Sequence, residues 1–124
     1  MKDKRPVNLD ISTISLPLAA YTSIIHRISG IIVFVGIAIL LWAFDMSLSS
    51  EDGFNQLKEA ADTFIFKFVL WGILSALAYH TVAGIKHLLM DSGIGETKEA
   101  APTFAKITIV VSLVLIIALG VWIW

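Results

Sequence analysis

Three histidines, one arginine and one serine stand out as groups able to do chemistry in an otherwise apolar sequence. The run Tyr79-His80-Thr81-Val82-Ala83-Gly84-Ile85-Lys86-His87 ends near Asp91. His80 precedes Asp91 by 11 residues, so a helix here carries it about 16 Å inward at 1.5 Å per residue. If the segment spans a membrane, His80 is near the midplane, and a neutral imidazole there suits an axial ligand of haem iron. Gly84 at i+4 and His87 at i+7 share its helix face. Gly84 is expected to let a flat macrocycle approach the backbone, and His87, about 10 Å nearer the helix end, to meet a haem propionate. The plainer alternative is that His80 hydrogen-bonds a neighbouring helix and binds nothing, and that His87 is an ordinary interfacial residue.

A second cluster reads Ser23-Ile24-Ile25-His26-Arg27-Ile28-Ser29-Gly30. Ser23, His26, Arg27 and Gly30 fall at i, i+3, i+4 and i+7 and make one polar stripe. A charge at the centre of a span costs about 2.5–3.5 kcal/mol on the insertion scale, although near a boundary snorkelling alone relieves it. An arginine and a hydroxyl one turn apart can instead bind a quinone carbonyl or a carboxylate such as a haem propionate. If the two segments are antiparallel, the Ser23–Arg27 end of one is level with the His87 end of the other. Two helices would then hold one haem, its iron at His80 and its propionates toward His26, Arg27 and His87. His26 and His87 are expected to be too shallow to reach the iron, so the second axial ligand comes from another chain.

The elements that must position these groups are membrane spans. Of the 124 residues, 57% are hydrophobic and 15% charged, against roughly 45–50% and about 25% in a soluble domain. The excess gathers into three runs, approximately residues 20–45, 64–90 and 103–124, each near the ~20 residues a span requires. The chain therefore reads as one all-α membrane domain of three transmembrane helices over residues 1–124. There is no cysteine, which excludes disulfides, thiolate zinc sites, cysteine-bound iron–sulfur clusters and thioether-linked haem. A net charge of -1 argues against nucleic acid as a partner.

Loop charges set the expected orientation. Lys2, Lys4 and Arg5 lie in the amino-terminal tail; Asp45, Glu51, Asp52, Glu59 and Asp62 face only Lys58 in the first loop; Lys86, Lys98 and Lys106 surround the second. The positive-inside rule puts the amino terminus in the cytoplasm and the carboxyl terminus outside. Trp42, Trp71, Trp122 and Trp124 then collect at the outer interface as an aromatic belt. Ser47–Gly53 contains turn and capping residues, Gln56–Ala61 suggests a short interfacial helix, and Ser92-Gly93-Ile94-Gly95 breaks the second span. The polar, partly acidic first 15 residues do not resemble a cleavable signal or a transit peptide. The expectation is a bacterial inner-membrane protein whose first helix directs its own insertion. No internal repeat is present.

Two signatures make the sequence resemble the cytochrome b subunits, the larger membrane anchors, of the enterobacterial type of succinate dehydrogenase (complex II). The first is Arg5-Pro6-Val7 with Ile11, Leu18 and Ser23-Ile24-Ile25-His26-Arg27-Ile28-Ser29. The second is His80-Thr81-Val82-Ala83-Gly84-Ile85-Lys86-His87-Leu88-Leu89-Met90-Asp91. Trp71-Gly72-Ile73-Leu74 and Leu77-Ala78-Tyr79-His80 also fit, so the resemblance spans about residues 5–91. It implies that His80 is the haem b axial ligand, with a histidine of the smaller anchor subunit opposite. It implies that Ser23 and Arg27 belong to the ubiquinone pocket, which is shared with the iron–sulfur subunit and the smaller anchor. His26, Arg27 and His87 match positions near the haem propionates. Flavin and iron–sulfur centres belong to other subunits, the flavoprotein among them. Protons for quinol would come from the cytoplasmic side, with Asp91 a candidate participant.

The family pattern usually has arginine where this chain has Lys86, which keeps the charge and loses the planar fork. If the position holds a propionate or a partner carboxylate, the contact is weaker here; if the residue merely snorkels, nothing changes. The third span carries no motif. Two other functions compete: a fumarate reductase anchor running the same chemistry toward menaquinone, and a cofactor-free anchor or assembly protein in which His80 is only a helix–helix contact. A transporter is disfavoured, because none of the three runs is clearly broken at the midplane as many transporter helices are.

Overall fold

The computed structural model describes residues 14–124. The tail cations Lys2, Lys4 and Arg5 and the opening of the first signature lie outside the described residues. Four helices follow in order: α1 (Leu18–Ser49), α2 (Glu51–Ala61), α3 (Phe64–Asp91) and α4 (Ala101–Ile123). No strand occurs among the described residues. The helices α1, α3 and α4 are each long and apolar enough to cross a membrane, as the three apolar runs predict. At 32 residues, α1 is about 48 Å long, so its last turns, through Ser49, pass beyond the hydrocarbon and past the expected boundary.

Side chains are arranged inside out relative to a soluble protein. Phe34, Ile65 and Trp122 are 78%, 75% and 76% exposed, while the buried residues of α1 are Thr22, Ser29, Gly36 and Ala43. Lipid supplies no hydrophobic drive between helices, so close packing of small residues does the joining. These four recur every seventh residue, a spacing that keeps one seam facing a partner helix. The partner is α3, running antiparallel. Lys86 meets Thr22, His80 meets Ser29, and Ile73 presses on Gly36, where an added Cβ would lie 2.7 Å from the Ile73 Cγ2.

The helix α4 packs on both α1 and α3 through Ala105, Thr108 and Ser112. Trp71 pins its far end: the indole Nε1 donates to the Ile116 carbonyl at 2.9 Å. Trp71 and Trp124 meet edge to face at 6.1 Å, and Trp124 also packs on Phe64. Trp42 lines a groove with Thr63 and Ile65, and Trp122 one with Ala61 and Lys67, so the four tryptophans gather at one end of the bundle.

The first loop differs from expectation in one respect. The helix α2 begins at Glu51, not near Gln56, because Ser50 caps it by accepting from the Gly53 N–H at 2.9 Å, with Glu51 and Asp52 in the first turn. Gly53 is helical, and its missing side chain leaves room for the Met46 carbonyl. The second loop behaves as predicted. Gly93 at φ 93° lets its N–H reach Met90 O at 3.0 Å and that of Ile94 reach Leu89 O at 2.9 Å, a Schellman closure.

Gly36→Ala should lower the unfolding midpoint of the assembled protein, at about 1–3 kcal/mol, and Ile73→Val should recover part of the loss. Gly72, around which a Cβ meets nothing within 4 Å, should tolerate alanine without a shift in the same thermal measurement.

Candidate functional site

The α1–α3 seam brings all five candidate residues to one groove. Ser23, His26, Arg27, His80 and His87 line an open cavity of about 710 Å³ together with Thr81, Gly84, Ile85, Leu88 and Asp91. Its size falls within the range of cofactor and ligand pockets, roughly 300–1,000 Å³. Every lining residue comes from α1 or α3.

His80 is held from behind. Its Nδ1 is 3.1 Å from Ser29 Oγ and 3.2 Å from the His26 carbonyl oxygen. The Ser29 hydroxyl donates to that same carbonyl at 2.7 Å, which leaves a lone pair of its oxygen toward His80. Both atoms facing Nδ1 are therefore acceptors, and the tautomer that satisfies them carries its proton on Nδ1. The lone pair then resides on Nε2, which no hydrogen bond engages among the described residues. An imidazole with Nδ1–H on a carbonyl and a free Nε2 is the usual state of a metal-binding histidine. His80 is thus a helix–helix contact through one nitrogen and an available ligand through the other.

The neighbouring groups depart from expectation in three ways. The His26 ring stacks directly on His80, with centroids 4.2 Å apart and planes 6° from parallel. It also lies 5.1 Å from the His87 ring, so it bridges the two. The stacked rings present faces to each other, and among the described residues no group of three His, Cys, Asp or Glu side chains is arranged to hold a metal ion. Gly84 opens space for His26, whose Nε2 would be 3.6 Å from an added Cβ. It is Gly30 that receives the His80 ring, with Cε1 at 3.1 Å from the corresponding position.

The third departure is Lys86. It does not snorkel. It is 5% exposed and its Nζ donates to Thr22 Oγ1 at 2.9 Å. Thr22 is fully buried, and its backbone carbonyl accepts the Tyr79 hydroxyl at 2.6 Å. This polar knot ties the ends of α1 and α3 directly behind Ser23. Arg27 is exposed and Ser23 half-buried; neither makes a side-chain hydrogen bond among the described residues, so both are available to a ligand or a neighbouring chain.

Comparison with known proteins gives a consistent picture. The succinate dehydrogenase/fumarate reductase transmembrane subunit family matches residues 1–119. A succinate dehydrogenase cytochrome b556 subunit of Coxiella burnetii is 37% identical over 125 residues, all of both chains. Proteins of the same name from Paracoccus denitrificans and Rickettsia felis are each 32% identical. The first alignment covers 92% of this chain and 88% of the relative, the second 96% and 93%. The similarity thus reaches into α4, beyond the motif-bearing segment.

The Lys86 knot makes a measurable claim on stability. Thr22→Val strands a buried ammonium and should cost about 1–3 kcal/mol. The double variant Thr22→Val/Lys86→Met removes both polar partners and should unfold at a higher temperature than the single one; thermal melts of the purified complex give the order.

Proposed function

Since the chain belongs to the succinate dehydrogenase/fumarate reductase transmembrane subunit family, we propose that its groove holds haem b through His80 and forms part of a ubiquinone-reduction site. The chain is a multi-pass subunit of an oxidoreductase complex in the bacterial inner membrane. The observation that carries the proposal is the setting of His80: Nδ1 faces two acceptor oxygens, Nε2 has no hydrogen bond among the described residues, and the groove has a suitable volume. The name cytochrome b556 of the relatives agrees with a b-type haem. When bound, that group supplies one-electron storage and transfer at a potential set by its ligands and surroundings.

The chain's own residues then have distinct tasks. His80 would hold the haem iron through its Nε2 lone pair, together with a histidine of the smaller anchor subunit. Arg27, with His26 and His87 nearby, neutralises the propionate carboxylates at the groove's polar end. Ser23 and Arg27, one turn apart on α1, donate hydrogen bonds to a carbonyl oxygen of ubiquinone, and the guanidinium favours the negative charge that grows there on reduction. The flavoprotein and iron–sulfur subunits deliver electrons from succinate. The loop charges support a topology with the amino terminus and the Ser23–Arg27 end on the cytoplasmic side.

A dithionite-reduced minus oxidised spectrum of the purified complex tests the haem assignment. His80→Ala should abolish or shift the α-band, and an unchanged band would move the ligand elsewhere. Arg27→Ala should depress quinone reduction at least tenfold, the loss of about one charge-assisted hydrogen bond, while succinate oxidation by an artificial acceptor continues. Equal loss of both activities would remove Arg27 from the quinone site.

A further inference from the structure

We propose that Ser29 is a positioning residue that sets the electronic character and ring angle of His80, and through it the reduction potential of the haem; this rests on His80 being the iron ligand. Ser29 is 4% exposed and sits behind the His80 ring, not among the residues that line the groove. Among the small residues of the α1 seam it alone presents a hydroxyl to a histidine. Its hydroxyl hydrogen goes to the His26 carbonyl at 2.7 Å, which orients the oxygen as an acceptor for His80 Nδ1–H at 3.1 Å.

The consequence is electronic as well as steric. A histidine that donates its outer N–H to an oxygen acquires imidazolate character and becomes a stronger donor at the other nitrogen. A stronger donor favours ferric over ferrous iron and lowers the potential. Ser29 shares the proton with the His26 carbonyl, so its removal weakens the effect without abolishing it. The ring is meanwhile confined on two other sides: Gly30 admits Cε1 at 3.1 Å from where a Cβ would be, and His26 covers a face at 4.2 Å. Ser29 supplies the in-plane contact that chooses one rotation of the imidazole within that slot.

Redox titration of the haem α-band and low-temperature EPR of the purified complex test this. Ser29→Ala should retain haem at wild-type stoichiometry, raise the midpoint potential, and move the largest g value of the low-spin signal. Haem retained with unchanged potential and unchanged g values overturns the proposal. If the alanine variant fails to assemble, Gly30→Ala decides: its Cβ must displace the His80 ring, and an unmoved g value shows that this face of α1 does not set the angle. His80→Ala is run in parallel. An unchanged α-band in that variant would overturn the haem assignment itself, whereas its loss or shift beside an unaltered Ser29→Ala spectrum and potential would overturn only the role of Ser29.

Discussion

The structure depends on how closely α1 can approach α3. In a bilayer the two helices gain nothing from hiding apolar surface from water, so contact has to come from backbone proximity and from polar groups that find no other partners. The heptad of Thr22, Ser29, Gly36 and Ala43 provides the first, and the Lys86, Tyr79 and His80 contacts provide the second. A bulky residue in this seam would separate the helices, and the groove would lose its floor. Ser29, reaching His80 only because the helices are this close, would be the first contact broken.

The same economy explains why so much apolar surface remains outside. Three helices cannot enclose one another, and the large side chains of α1, including Ile31, Phe34 and Trp42, stay more than 60% exposed. That surface suits acyl chains and the apolar helices of other subunits equally well. Polar chemistry, by contrast, is confined to one side of the α1–α3 pair, which is also the open side of the groove. The groove there has two walls from this chain and lacks a third.

Much of this was legible in the sequence because membranes penalise exceptions. His80, Arg27, Ser23, His26 and His87 stand out against apolar runs, and the structure brings all five together. The helix count, the Gly93 break and the clustering of the tryptophans followed from hydropathy and turn chemistry. What escaped was set by the axial register between helices, which hydropathy does not encode. Nothing in the sequence pairs His26 with His80 until α1 is slid against α3, when its ring stacks on that of His80. Lys86 reads as a snorkelling cation because its helix end is near, and only packing reveals that it turns inward to Thr22. Ser29 carried the weakest signal of all, a serine beside a glycine; its one clue was the seven-residue spacing from Thr22 and Gly36. The early start of α2 was hidden because Ser50 could equally have been one more turn residue.

The groove also has a place in the order in which the chain is made. Its lining runs from Ser23 to Asp91, and the contacts that orient His80 come from α1 alone. Once the second span has entered the bilayer, the residues that line the groove are all in it, while α4 has yet to insert. The helix α4 closes the far flank through Trp71 and touches none of the groove. Formation of the groove and closure of the bundle are therefore separable steps of biogenesis, and the first does not have to wait for the second.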